Sequence, residues 1–153
     1  LLLIILGFEV LDAPVVVIVS TILPLSLSLG LVWQHLETWR IPYLIYVILG
    51  FLAILVTRAM HLRSKQPTMV LAFVHGVAGM TIFLLPIILA LQGKAQPLFA
   101  LVGAGGALIG IGGLLLYFLK TGKPILSGEM ILRVLPGLLL SMTLLFVVGF
   151  AYG

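Results

Sequence analysis

Three groups of residues in this sequence could do chemistry. The first is His75, in VLAFVHGVAGM, with no other ionisable side chain from Thr68 to Leu91. An imidazole in such a run has three uses: a hydrogen bond to a neighbour, axial ligation of a metal held in a planar ring, or a proton relay, since its unperturbed pKa is about 6.5. The second group is Glu129 and Arg133, in GEMILRVL. They stand four residues apart with the acid first, the favourable order for an ion pair on a helix. An unpaired Arg133 in lipid would cost at least about 2.5 kcal/mol. Pairing with Glu129 and snorkelling toward the cytoplasmic face lower that cost, so the pair is expected to be self-neutralised and to help seat the helix, or else to bridge to a partner subunit, a lipid headgroup or an anionic substrate. The third group is a glycine stripe, Gly103, Gly106, Gly110 and Gly113, in LVGAGGALIGIGGLLLYF. Such a stripe lets helix backbones approach closely, and it could also form a flat wall against a planar ligand.

These groups combine into one cofactor hypothesis. Ala72, Gly76 and Gly79 share a helical face with His75 and are expected to pack against a neighbour. His75 would be an axial ligand to haem b or a (bacterio)chlorophyll, with Gly106, Gly110 and Gly113 lining the ring. A bis-histidine haem within this chain is disfavoured. His61 lies roughly 9 Å shallower than His75 by helical rise, and His35 falls at the opposite membrane face. Met69 and Met80 offer only weak thioether ligation, and methionine is common filler in apolar helices.

No enzyme signature is present: no HExxH, Walker loop, GxSxG or paired carboxylates appear in the sequence. The absence of cysteine excludes disulfides and thiolate metal sites. A net charge of +4 spread over eight Lys and Arg is too sparse for nucleic-acid binding.

The elements that must position these groups are membrane helices. Of the 153 residues, 63% are hydrophobic and 8% charged, against about 45–50% and about 25% in soluble domains. Five prolines, Pro14, Pro42, Pro67, Pro97 and Pro124, each precede a long apolar run, as suits the first turn of a helix. The spans read as 14–34, 42–60, 67–91, 97–119 and 124–151. Each is near or above the roughly 20 residues that cross a bilayer. The fold expected is an all-α integral membrane protein, one domain of five antiparallel transmembrane helices with short loops. Leu1 to Leu11 is apolar but too short to span, and is expected to be an extension or an interfacial helix. Pro24, Pro86 and Pro136 fall inside spans and free the carbonyls of Ser20, Ile82 and Leu132. The hydroxyls of Ser20, Thr21, Ser26 and Ser28 are expected to help re-satisfy the backbone near Pro24.

Arg58, Arg63, Lys65, Lys120 and Lys123 fall on one side, and Arg40 and Lys94 on the other. The positive-inside rule places loops 57–66 and 119–124 in the cytoplasm and the C-terminus outside. Trp33, Trp39, Tyr43, Tyr46 and Tyr152 read as anchors at the outer interface.

Three functions follow as expectations. The chain is an accessory subunit, without catalysis, of a larger respiratory or photosynthetic membrane complex. Alternatively it binds haem or chlorophyll through His75, or it is a small transporter or channel using the proline breaks with Glu129, Arg133 and His75.

Overall fold

The structure, a computed structural model, describes residues 13–59, 66–120 and 122–152. The expectation for Leu1 to Leu11, and the readings of His61, Arg63 and Lys65, lie outside the described residues. Among those described, five helices are long and apolar enough to cross a membrane. They are α1 (Pro14–His35), α2 (Arg40–Ala59), α3 (Gln66–Leu91), α4 (Ala100–Lys120) and α5 (Gly128–Ala151). Short 3₁₀ turns at Glu37–Trp39 and Pro97–Phe99 lead into α2 and α4. The chain is an all-α polytopic membrane protein.

Proline sets some helix starts and not others. Pro14 opens α1, Pro67 is the second residue of α3, and Pro97 opens the 3₁₀ turn before α4. Pro42, by contrast, is the third residue of α2, which already starts at Arg40. The last helix does not start at Pro124. Its N-cap is Ser127, whose side-chain oxygen accepts the Met130 N–H at 3.2 Å. A hydroxyl that satisfies an orphan amide fixes a helix start more firmly than a proline several residues upstream. Helix ends α3 and α4 are closed by glycine. Gly93 and Gly122 have φ of 68° and 74°, a region that only glycine enters without strain. At the first turn, Gly93 N–H donates to the Ala90 carbonyl and Lys94 N–H to that of Leu89. The second repeats the pattern, with Gly122 on Leu119 and Lys123 on Phe118. Both are Schellman closures.

The chain divides into two compact units, Leu1–Thr81 and Ile82–Gly153, and the division falls inside α3. The first unit is built around Leu25 of α1, Ile54 of α2, and Val74 and Ala78 of α3, with Tyr46, Val47, Phe51, Val70 and Leu71 packed against them. Gly50 of α2 makes room for Val74: a Cβ built there would lie 3.2 Å from both Val74 methyls. Two tyrosines tie α2 to α3. Tyr43 donates to Thr81 Oγ1 at 3.1 Å, and Tyr46 donates to the Val74 carbonyl at 2.8 Å. Thr81 in turn donates to the Val77 carbonyl one turn back. The hydroxyls of these two rings tie α2 to α3. A half-buried phenol needs an acceptor, and α3 supplies it.

Thr21 and Ser28, the fully buried polar residues of α1, are satisfied by their own helix. Thr21 donates to the Val17 carbonyl at 2.7 Å and Ser28 to that of Leu25 at 3.0 Å. Ser20 and Ser26 likewise reach back to Val17 and Leu23. None of these bonds goes to the Ser20 carbonyl that Pro24 frees. A hydroxyl on a helix reaches back three or four residues, so those at 20, 21, 26 and 28 are out of register for it.

The second unit is built on missing side chains. A Cβ at Gly103 of α4 would come within 2.5 Å of the Phe83 carbonyl oxygen and 2.6 Å of Ile87. One at Gly106 would lie 2.9 Å from Ile82. On another side of α4, a Cβ at Gly105 would meet Phe146 at 2.9 Å. Gly149 of α5 approaches α4 so closely that its Cβ would be 2.7 Å from the Val102 backbone nitrogen. The Phe99 and Phe150 rings meet edge-on at 6.3 Å. Without a hydrophobic drive between helices in lipid, such backbone approach and van der Waals contact must hold them together.

Candidate functional site

His75 lies about 13 Å along α3, nine residues past its start at Gln66. Its ring is half-buried, and Nδ1 is buried with no hydrogen bond. The Leu71 carbonyl one turn back interacts with the ring, but Nδ1 is not in hydrogen-bonding geometry with it. The small residues beside His75 are open rather than packed: Ala72 and Gly76 are exposed, and a Cβ at Gly76 or Gly79 would meet nothing within 4 Å. In this unit α3 packs through Val74 and Ala78 instead. One helix face can be filled only where a neighbour stands, and that neighbour is α2 at Gly50 and Tyr46.

The expected glycine stripe divides in two. Gly103 and Gly106 are close-approach positions against Ile82, Phe83 and Ile87, so neither is a free wall. Gly110 and Gly113 are exposed, with nothing within 4 Å of a built Cβ. The tightest approaches between α4 and α5 are at Gly105 of α4 and Gly149 of α5, neither of which belongs to the stripe. Spacing alone does not mark them: each is identified by what it meets across the α4–α5 pair, Phe146 for Gly105 and Val102 for Gly149. His75 belongs to the first unit and these glycines to the second. Among the described residues, no group of three or more His, Asp or Glu gathers to hold a metal ion.

Glu129 and Arg133 form the expected pair, at 3.5 Å. It is not covered by the chain: the side chains are 87% and 73% exposed. Because α5 starts at Gly128, Arg133 lies only about 8 Å into the helix, shallower than a start at Pro124 implies.

A second charged cluster went unread in the sequence. Arg40 Nε donates to the Trp33 carbonyl at 2.6 Å, its guanidinium lies 5.8 Å from the Trp33 ring centroid, and Nη1 stands 3.5 Å from Glu37. These contacts close the α1–α2 turn. The signal was the i, i+3 spacing of Glu37 and Arg40.

No protein-family model matches the sequence, and neither a curated protein nor a solved structure matches it.

Proposed function

We propose that this multi-pass membrane protein is a non-catalytic accessory or structural subunit of a larger membrane assembly, of the respiratory or photosynthetic electron-transfer type. One observation carries the reading. An ion pair sits in the first turns of an apolar helix, and the chain itself leaves both partners uncovered. The helix that bears it buries only 6% of its apolar stretch against the rest of the chain, whereas α1 and α4 bury 33%. Lipid can cover the apolar part at no cost. The charged part gains from a polar partner at the same depth. In this reading, loops 57–66 and 119–124 face the cytoplasm, which puts the pair on the cytoplasmic side.

The test is extraction from native membranes in mild detergent, followed by native electrophoresis and mass spectrometry. The wild-type chain is expected in a band containing other subunits, and Arg133→Ala is expected to shift it toward the free chain. Wild-type protein migrating alone would overturn the reading.

A second reading rests on His75. Ala72 and Gly76 beside it are exposed, and a Cβ at Gly76 or Gly79 would meet nothing within 4 Å. A haem or chlorophyll ring could lie there with His75 as a single axial ligand, supplying light absorption or electron transfer. A Soret or Qy band in the purified protein that disappears in His75→Ala would support it. Colourless wild-type protein from native membranes would remove it.

A further inference from the structure

Helix α5 has two faces with the same spacing and opposite fates. The face toward α4 carries Ile131, Leu138, Met142, Phe146 and Gly149, and its contacts include Leu138 near Gly112, Phe146 against Gly105 and Gly149 against Val102. Directly opposite run Arg133, Gly137, Leu140, Leu144, Val147 and Ala151, at steps of four, three, four, three and four residues. All six are exposed, Leu140, Leu144 and Val147 by 72%, 62% and 63%. A 3.5-residue repeat is the spacing of a left-handed helix–helix seam, the commonest crossing in membrane bundles. A Cβ at Gly137 would meet nothing within 4 Å, so a neighbour can approach there. At the end of this seam stand Glu129 and Arg133.

We infer that this face of α5 packs on the same face of a second copy of the chain, with Glu129 of each copy paired to Arg133 of the other. The inference rests on the accessory-subunit reading and names one of its partners. Charge argues for a copy over an unrelated partner. The patch holds one acid and one base one turn apart, with no net charge. A two-fold axis along the membrane normal brings two such patches together as an alternating ring of four charges. An isologous interface requires that kind of self-complementarity. A partner with a surplus of either sign would leave a charge unmatched.

The sequence has no cysteine, so single cysteines can report the seam. Leu144→Cys, oxidised in native membranes, is expected to give a disulfide-linked product of twice the chain mass. Leu52→Cys, on the exposed face of α2, is expected to give little. A product with a chain of different mass overturns the second copy but leaves the accessory reading standing. Uncrosslinked chain within a larger native band does the same. Uncrosslinked chain that also migrates alone overturns both. Charge exchange gives an independent arm. Glu129→Arg and Arg133→Glu are each expected to lower dimer yield several-fold when expressed alone. Co-expressed, they are expected to recover it, because a doubly basic patch then meets a doubly acidic one. Failure of the mixture to recover overturns the inference.

Discussion

The two units solve the same problem with different chemistry. In the first, tyrosine hydroxyls cross from α2 to α3, and the apolar side chains around Val74 fill the space between. In the second, glycines remove side chains, and backbone meets backbone or a bulky ring. The first arrangement spends polar groups and tolerates small movements, because a hydroxyl can rotate. The second has no slack, because a carbonyl in a helix cannot move without its neighbours. Lipid offers little hydrophobic drive for either, so each contact must hold by its own geometry.

That contrast predicts an order of effects, to be measured by reversible SDS titration in mixed micelles followed by far-UV circular dichroism. Gly103→Ala should be the most damaging, at about 3 kcal/mol, since overpacking costs about 1–3 kcal/mol or more and the added methyl meets the Phe83 carbonyl. A loss under about 0.5 kcal/mol would mean that α3 and α4 are not held at this approach. The same change in the first unit, Gly50→Ala, should cost about 1 kcal/mol, because the Val74 methyls at 3.2 Å can give way. Equal losses at the two sites would break the distinction. Tyr46→Phe should cost about 0.6 kcal/mol, the average for a hydrogen bond between membrane helices. Trp33 and Trp39 are the sequence's two tryptophans and both fall in the first unit, so intrinsic fluorescence should report this loss selectively. Gly110→Ala should be neutral or stabilising by up to about 1 kcal/mol, through helix propensity alone, as nothing lies near its Cβ. A loss there comparable to Gly103→Ala would mean the stripe packs along its whole length.

The five spans were legible because a run of apolar residues long enough to cross a bilayer has few alternatives. Their ends were legible only where proline or glycine acts locally. Ser127 was missed in favour of Pro124 because a cap is recognised by what its side chain bonds, and that is not written in composition. Glu129 and Arg133 could be paired from spacing alone, since both partners are on one helix. Their exposure could not be, because it depends on which side of α5 meets α4. The glycine stripe shows the same limit. Periodicity puts Gly103, Gly106, Gly110 and Gly113 on one side of α4, but where a neighbour touches them is a property of two helices. Tyr43 and Tyr46 carry a polar tip that serves an interface or an acceptor equally well, so residue type alone did not reveal the bonds to Thr81 and Val74.

The division between units at Thr81 and Ile82 lies within a single helix, α3. This has a consequence for the order of biosynthesis. The residues that complete the first core, Val74 and Ala78, leave the ribosome before those that receive the α4 glycines. Once α3 has entered the membrane, its early turns can close the first core. Ile82, Phe83 and Ile87 must then wait, bare of their glycine partners, until the next hairpin is inserted. The nascent chain therefore carries a half-finished helix for the time it takes to translate α4.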